Sequence, residues 1–253
     1  MANVDDKAET IVKNDFIELR FTGRVKGGEI FDTNIPEDAR KIGLELNESN
    51  ESNKPYIICI GHGMILPKID NFLIGKEAGK GYTLEISPDE GFGHRRKEFM
   101  KVLSMEIFRK QDMKPQAGMV FTFDGMPARI SAVSGGRVTV DFNNPLAGKE
   151  LVYELNIIRK ADDLNEKIKS LIMFFFRSNV NFRLDEKDKK VILDLDAKFR
   201  TFLEAFSGKF KEILGMDIVI EEAKPEEKKE KKEKKEERES KEKEVKETKE
   251  VKK

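Results

Sequence analysis

The chain has 253 residues, of which 38% are hydrophobic and 38% are charged, with 48 basic and 48 acidic side chains. This length and apolar content suffice for more than one hydrophobic core, so several domains are expected. The net charge of zero gives no reason to expect nucleic acid or an anionic membrane as a partner. No stretch approaches the roughly 18 to 20 apolar residues of a membrane-spanning helix, and the first residues hold no apolar signal core, so a cytoplasmic location is expected.

Residues that usually support metal or cofactor chemistry are scarce. Cys59 is the only cysteine, and His62 and His94 are the only histidines, which are too few for a Cys/His zinc site. The sequence has no glycine-rich phosphate loop, and Gly61-x-Gly63 is not followed by the third glycine of a dinucleotide site. We therefore expect neither a metal nor a cofactor.

The N-terminal part of the chain predicts several strands and one short helix. Apolar and polar residues alternate from Phe16 to Val25, which is typical of a half-buried strand, and the glycine pair that follows marks a hairpin. A polar loop is expected over residues 34–53. A helix is expected to begin near Pro67, because apolar residues then share one face at spacings of three and four. Further strands are predicted at residues 29–32, 55–60 and 82–86.

Residues 96–141 differ in character and predict a small β-rich insert. Short strands are expected at 120–123, 128–133 and 138–140, and the strands at 82–86 and 151–157 on either side of the insert are expected to share one sheet. Flexible thioethers are typical of a surface that accepts many apolar sequences, but they also fill the core of a small domain, and both interpretations stay open. Five of the nine methionines lie in the insert: Met100, Met105, Met113, Met119 and Met126.

Residues 161–222 predict a third domain with the order α, β, β, α, β. Its first helix is expected to begin at Asp162 or Asp163 and its second to end at Gly215. The Phe-rich helices either cover their own sheet or form a homodimer through residues 161–222. The tail at 223–253 is dominated by Lys and Glu, so we expect it to be disordered, with a role in solubility and spacing or in weak docking.

Six short motifs follow one another in the N-terminal part of the chain. They are FTG at 21–23, GEIFDT at 28–33, PY at 55–56, IGHGMILP at 60–67, the glycines 75 and 79, and ISPDEGFG at 86–93. In their order and spacing they resemble the FKBP-type peptidyl-prolyl cis-trans isomerases. The segment VDFNNPLAGKEL at 140–151 resembles the SlyD-like branch, in which a chaperone domain is inserted into the flap of the isomerase domain. The three-domain layout is similar to that of long archaeal members.

The resemblance implies an α+β fold in which an antiparallel half-barrel sheet wraps around a short helix. It implies an isomerase domain at residues 1–95 and 142–160, with an insert-in-flap chaperone domain at 96–141. Residues 161–222 then form a C-terminal α+β domain with the order αββαβ, and residues 223–253 form the charged tail.

The resemblance also implies an apolar pocket that binds proline. Phe21 and Phe92 stand where the family frequently has tyrosine, and Ile69 stands where it often has tryptophan. The backbone N–H of Leu66 is expected to hold the substrate carbonyl oxygen. Asp32 either orients the pocket by hydrogen bonds, interacts with the rotating carbonyl carbon, or fixes its own loop. The pocket positions are occupied here by Phe21, Phe31, Asp32, Tyr56, Ile65, Leu66, Ile69, Phe92 and Tyr153.

The expected activity is therefore peptidyl-prolyl cis-trans isomerisation that accelerates protein folding. The expected partners are unfolded or proline-containing polypeptides, which the insert would capture and pass to the pocket. The alternative is a holdase chaperone, or a dimeric binding module, whose isomerase pocket is inactive.

Overall fold

The computed structural model describes residues 9–43 and 56–221. The chain forms two compact units, unit 1 (Met1–Lys167) and unit 2 (Ile168–Lys253). Several sequence predictions lie outside the described residues: those for residues 1–8, for the polar loop beyond residue 43, for Pro55 and for the charged tail at 223–253.

The described residues form strands and helices in the following order. They are β1 (Phe16–Val25), β2 (Ile30–Thr33), α1 (Pro36–Lys41), β3 (Tyr56–Cys59), α2 (Pro67–Leu73), β4 (Gly81–Ile86), β5 (Met100–Ser104), α3 (Met105–Arg109), β6 (Val120–Phe123), β7 (Met126–Ser134), β8 (Arg137–Asp141), β9 (Leu151–Lys160), α4 (Leu164–Phe176), β10 (Phe182–Asp185), β11 (Lys190–Asp194), α5 (Arg200–Leu214) and β12 (Asp217–Glu221).

The first sheet of unit 1 is built around β1. This strand pairs antiparallel with β2, β3 and β9, and β9 also pairs antiparallel with β4. The strands that flank the insert are therefore neighbours in one sheet, as the sequence predicted. Together with the helices, this antiparallel arrangement confirms the α+β class.

The core of this sheet follows the alternation of its strands. Ile17 and Leu19 of β1 and Leu155 of β9 are completely buried, because every second side chain of a strand points to the same face. On α2, Ile69 and Leu73 are also completely buried. The predicted apolar stripe is therefore confirmed for these two residues, whereas Phe72 is half-buried and Ile65 lies before the helix.

Helix α1 was not predicted, because the sequence suggested a polar loop over residues 34–53. Pro36 occupies the first turn, Glu37 and Asp38 follow it, and Lys41 lies in the last turn, which suits the helix dipole. Only Ala39 is buried. Six residues with one buried side chain show no apolar period, so the pattern could not reveal the helix.

The insert sheet has the strand order β5-β8-β7-β6, and all of its neighbours are antiparallel. The three predicted insert strands are confirmed, two of them with slightly wider limits. Strand β5 and helix α3 had not been predicted. The core of the insert consists of Phe108, Ala128, Ile130, Val138 and Val140.

Residues 164–221 confirm the predicted order of helices and strands. Strand β11 pairs antiparallel with β10 and parallel with β12, and α5 makes the connection that parallel strands require. Helix α5 ends at Gly215, whose φ of 68° lies in the left-handed region.

None of the helices within residues 9–43 and 56–221 is long and apolar enough to cross a membrane.

Candidate functional site

Four aromatic side chains from separate segments meet beside the middle of β1. Phe21 lies on β1, Phe31 on β2 and Tyr153 on β9, while Phe92 follows β4. The ring centroid of Phe31 lies 5.7 Å from that of Tyr153 and 6.4 Å from that of Phe92, both edge-to-face, the arrangement that the ring quadrupole favours. The centroids of Phe21 and Tyr153 are 6.2 Å apart. We call these four residues the aromatic wall.

A β-bulge explains why Phe31 and Asp32 both belong to the site. Simple alternation would send neighbouring side chains to opposite faces of a sheet. Between β1 and β2, however, Gly23 pairs with Asp32 and Arg24 pairs with Ile30, so Phe31 has no partner of its own in this ladder. A bulge of this kind changes the direction of the extra side chain. It allows Phe31 to reach Tyr153 while Asp32 stays opposite Gly23.

Gly23 leaves room for two of the rings. It pairs with Tyr153 on β9 and with Asp32 on β2. A Cβ atom at this position would lie 2.8 Å from Cε1 of Tyr153 and 3.0 Å from Cζ of Phe31. Real Cβ contacts are longer than this, so a larger residue would push at least one ring away. The wall therefore needs a residue without a side chain at this point of β1.

Asp32 lies at the open side of the wall. The residue is exposed to solvent, yet its carboxyl group loses part of its hydration to the protein around it. This desolvation raises the pKa of Asp32 above its ordinary value, and a hydrogen bond from the Thr33 backbone opposes the rise only in part. Burial, and then the nearby charge of Asp32, raise the pKa of Tyr153 well above its ordinary value. Solvent therefore reaches Asp32, while Tyr153 is only 3% exposed.

A buried hydroxyl network holds β1, β2 and α1 together behind the wall. Thr22 is completely buried, and its hydroxyl donates to Oδ2 of Asp38 at 2.6 Å. The Thr33 hydroxyl lies 2.9 Å from that of Thr22 and donates to the Phe21 carbonyl at 3.0 Å. Buried polar groups need such partners. The network fixes the backbone on either side of the residues that form the wall.

The other predicted site residues lie on β3 and at the start of α2. The Tyr56 hydroxyl donates to the Met64 carbonyl at 3.3 Å, which ties β3 to the segment before the helix. Leu66 is the N-cap of α2 and Ile69 is completely buried, while Ile65 is half-buried. Within the described part of the chain, the Leu66 N–H donates no hydrogen bond. It can therefore donate to an acceptor on a bound ligand.

Asp70 shapes the turn before this helix, a role that was not predicted from the sequence. Its side chain is 6% exposed, and its two carboxylate oxygens accept the N–H groups of Gly61 at 2.8 Å and Gly63 at 3.2 Å. Because an unpaired buried carboxylate is costly, these bonds fix the turn that leads to Leu66. The only sequence signal was an acidic residue next to Ile69 on the apolar face of a helix.

The predicted site residues therefore fall into two groups. The first group is a cluster beside Gly23, in which Phe92 takes part through its contact with Phe31. It consists of Phe21, Phe31, Asp32, Phe92 and Tyr153. Tyr56, Ile65, Leu66 and Ile69 form a second group, which β1 connects to the first. At one end β1 pairs with β3 through Leu19 and Tyr56, and nearer its other end it pairs with β9 through Gly23 and Tyr153.

A shallow groove elsewhere on the sheet does not belong to the wall. Arg20, Lys80 and Asn156 are among its lining residues. Arg20 and Asn156 are paired across β1 and β9, and each lies next to a residue that points inward. By alternation they lie on the face opposite to Tyr153. Among the described residues, no group of three or more His, Cys, Asp or Glu side chains could hold a metal ion.

Comparison with known proteins gives two family matches. Residues 7–123 match the model of the FKBP-type peptidyl-prolyl cis-trans isomerases, and residues 101–146 match the model described as FKBP26, IF domain. Unit 2 lies outside both matched ranges.

Curated relatives agree with these matches. A short-type peptidyl-prolyl cis-trans isomerase of Methanocaldococcus jannaschii is 32% identical over 147 residues, which are 58% of this chain and 92% of the relative. A probable FKBP-type 16 kDa isomerase of Pseudomonas fluorescens is 26% identical and covers 59% of this chain and 91% of its own length. The FKBP-type isomerase SlyD of Yersinia pestis is 28% identical and covers 50% of this chain and 66% of its own length.

We predict that Gly23→Ala lowers the catalysed cis/trans rate on a short X-Pro peptide by about tenfold or more, which corresponds to roughly 1.4 kcal/mol of lost transition-state stabilisation. The added methyl group would displace Tyr153 or Phe31 from the wall. The rate is measured together with thermal unfolding.

The matched control is Gly81→Ala, because a Cβ there would lie 2.6 Å from Oδ1 of Asn156 in the same sheet, on the face away from Tyr153. We expect this variant to keep the wild-type rate. Equal rates for Gly23→Ala and the wild type would show that the wall does not depend on Gly23.

Proposed function

The chain belongs to the FKBP-type peptidyl-prolyl cis-trans isomerases and is itself such an isomerase, and on this premise we propose a separate role for each of its parts. The aromatic wall and the start of α2 bind proline and catalyse rotation of the X-Pro bond. The insert holds unfolded segments of the same substrate. The observation that supports this most is the meeting of Phe31, Phe92 and Tyr153 next to Asp32, a residue that solvent reaches.

The reaction needs little from the side chains. Rotation about an X-Pro bond meets a barrier of roughly 18–20 kcal/mol, because amide resonance must be broken. A planar amide is more polar than a twisted one, so an apolar surface favours the twisted form relative to the planar one. The Leu66 N–H donates to the substrate carbonyl oxygen while the bond turns. No covalent intermediate is required.

Asp32 acts on the bound substrate by its position at the edge of the wall. It lies opposite Gly23 in the ladder, near Tyr153. A proline ring in contact with Phe31 would therefore bring the carbonyl carbon of the X-Pro bond, which belongs to the residue before the proline, towards this carboxyl group. The raised pKa of Asp32 reflects the partial loss of its hydration, and a partly desolvated charge interacts more strongly with a neighbouring dipole. We assign Asp32 to orientation of the carbonyl group rather than to proton transfer.

We predict that Phe31→Ala and Asp32→Ala each lower kcat/KM on an X-Pro tetrapeptide by about tenfold, the effect of losing roughly 1.4 kcal/mol of transition-state stabilisation. Phe31→Ala removes the ring that contacts both Phe92 and Tyr153, and Asp32→Ala removes the charge at the edge. The rates are measured in a coupled peptide assay, with far-ultraviolet circular dichroism as the test of folding.

Phe199→Ala serves as the control, because this phenylalanine is 38% exposed and lies in unit 2. It should turn over the peptide like the wild type. If Phe31→Ala and Asp32→Ala both fold and both keep full activity, the pocket lies elsewhere.

The insert offers an apolar surface for unfolded segments. Its methionines divide between the two interpretations that the sequence left open. Met105 and Met113 pack against the core of the insert, whereas Met100, Met119 and Met126 are 39%, 37% and 51% exposed. Other exposed apolar residues accompany them: Phe99, Val102, Ile107, Val120 and Val133. So many exposed apolar side chains in a small domain favour a binding surface, and flexible thioethers suit one with varied ligands.

A segment held on the insert is kept near the proline pocket. The insert enters and leaves the first sheet close to Phe92, so a bound chain searches a small volume around the pocket. Such tethering raises the effective concentration of prolines without any new contact in the pocket. Short peptides gain nothing from it, because they are too small to reach both surfaces.

We predict that replacing residues 96–141 by a short Gly/Ser linker lowers catalysis of a proline-limited refolding reaction by about 100-fold, in line with the usual gain from a second binding surface. The rate on a tetrapeptide should change by only a few fold. Both rates are measured side by side on the same preparation.

A milder variant protects this test against misfolding of the shortened chain. Val120 is 68% exposed, so Val120→Ser should preserve the fold and still weaken binding of an unfolded protein. Equal losses on the peptide and the protein substrate after removal of the insert would contradict the delivery role.

Unit 2 supports a proposal of self-association. Phe175 stacks on Phe206 with a centroid distance of 4.5 Å, so the helices do pack through their phenylalanines. Phe199 and Phe202 nevertheless remain 38% and 47% exposed, and Phe174 to Phe176 are only half-buried. Aromatic residues with this exposure are common in interfaces. We propose that a second copy of the chain covers them.

We predict that the full chain sediments as a dimer at micromolar concentrations and that Phe199→Ser with Phe202→Ser converts it to a monomer. Ile158→Ser is the control, because Ile158 is an equally exposed apolar residue of unit 1. A monomeric wild type would contradict the homodimer.

We further propose that the protein works in the cytoplasm, which fits its single cysteine, Cys59, in a buried position. The alternative of a holdase or binding module with an inactive pocket receives no support from the family matches, because the chain is an isomerase by family.

A further inference from the structure

The chain crosses between the first sheet and the insert sheet along two segments. The entry segment (residues 93–99) follows Phe92 and leads to β5, and the exit segment (residues 142–148) follows β8. The two segments run beside each other and share backbone hydrogen bonds. The Phe142 N–H donates to the Phe99 carbonyl at 2.8 Å, and the Gly148 N–H donates to the Gly93 carbonyl at 2.7 Å.

Between these two backbone bonds, the side chain of Asn143 joins the exit segment to the entry segment. Its Oδ1 accepts the Arg96 N–H at 2.8 Å, and its Nδ2 donates to the Arg96 carbonyl at 3.0 Å. A single amide side chain thus satisfies both backbone groups of one residue, which is what a partner strand would do. The same Nδ2 also donates to Oδ1 of Asp141 at 2.7 Å.

Asp141 anchors the other side of this arrangement. It is the last residue of β8 and is only 3% exposed. Its carboxylate pairs with Arg95 and accepts the Asn143 backbone N–H at 2.8 Å. A buried carboxylate with these partners holds both segments, because Arg95 belongs to the entry and Asn143 to the exit. We call Arg95, Arg96, Asp141 and Asn143 the hinge clamp.

Short connections lead from the hinge clamp to both functional surfaces. Phe142, next to Asn143, packs against the core of the insert, and its ring centroid lies 6.1 Å from that of Phe123. On the other side, Arg95 lies three residues after Phe92, which contacts Phe31 in the aromatic wall. The insert core and the pocket wall are therefore joined through one polar cluster.

We propose that Asn143 is a positioning residue, which holds the insert in a fixed orientation so that segments bound on it reach the pocket. This inference rests on the proposed delivery function of the insert. Effective concentration depends on geometry, and a connection that lets the insert turn freely spreads the bound segment over a larger volume. The hinge clamp keeps that volume small without touching the substrate.

Asn143→Ala is the variant that tests this role. It removes both bonds to Arg96 and one to Asp141, while Asp141 keeps Arg95 and the backbone N–H of residue 143. The buried charge stays paired, so the chain should fold. Asn144→Ala is the matched control, because the Asn144 side chain accepts only the nearby Leu146 N–H, at 2.8 Å, among the hydrogen bonds described for it.

The full chain, both variants and the chain without residues 96–141 are compared in three assays. They are kcat/KM on a tetrapeptide, kcat/KM in refolding of a proline-limited protein, and affinity for a permanently unfolded protein. For Asn143→Ala we expect refolding to fall about three- to tenfold, within the range that loss of tethering can produce. Its peptide rate and its affinity should stay at wild-type values, and Asn144→Ala should match the wild type throughout. NMR relaxation should show that the insert of Asn143→Ala tumbles more independently of the first sheet than the insert of the wild type does.

The possible outcomes separate this inference from the function on which it rests. If Asn143→Ala refolds the protein substrate like the wild type while removal of the insert still depresses refolding alone, the positioning role is wrong and the delivery function stands. If Asn143→Ala lowers the peptide rate and refolding equally, Asn143 supports the pocket itself and the inference is again wrong. If removal of the insert affects both substrates equally, both proposals fail.

Discussion

The close approach of two aromatic rings to the bare backbone of β1 at Gly23 is the contact on which the site depends. Tyr153 reaches this point from β9 and Phe31 reaches it from the bulge on β2, and neither ring would fit above a Cβ atom. The pairing register of β1, β2 and β9 therefore determines the shape of the aromatic wall. A shift by one residue along β1 would replace Gly23 by Thr22 or Arg24 and would turn the wall to the other face of the sheet.

The same chain repeatedly uses polar side chains in place of a partner strand. Asn34, just beyond β2, accepts the Phe21 N–H and donates to the Leu19 carbonyl, both at 2.8 Å. Asn143 does the same for Arg96. Asp70 accepts two N–H groups of a turn. Each lies where regular pairing ends, so irregular segments near the site are held by hydrogen bonds as specific as those of a sheet.

Much of the fold could be predicted from local patterns, whereas several determinants of the site could not. Alternation revealed β1, and apolar spacing revealed α2, because each signal lies within one segment. Helix α1 has only Ala39 buried and therefore shows no period. Gly23 was visible as part of a motif, but its role depends on Tyr153, more than a hundred residues away. The roles of Asn143 and Asp70 likewise depend on hydrogen-bond partners that no local pattern identifies. The roles of the nine predicted site residues remain predictions, although the structure places five of them in one cluster beside Gly23.

Asp32 shows what such a site demands of the fold. Because its pKa is raised, the folded chain binds this proton more tightly than the unfolded chain does. The contribution of Asp32 to the free energy of unfolding is therefore favourable when the carboxyl group is protonated, and it is lost as the pH rises through the raised pKa. The ionised carboxylate destabilises the folded chain. The proposed mechanism uses no nucleophile, so the placement of such groups is the main contribution of the protein. The register at Gly23 and the turn held by Asp70 are then as important as the residues proposed to contact proline.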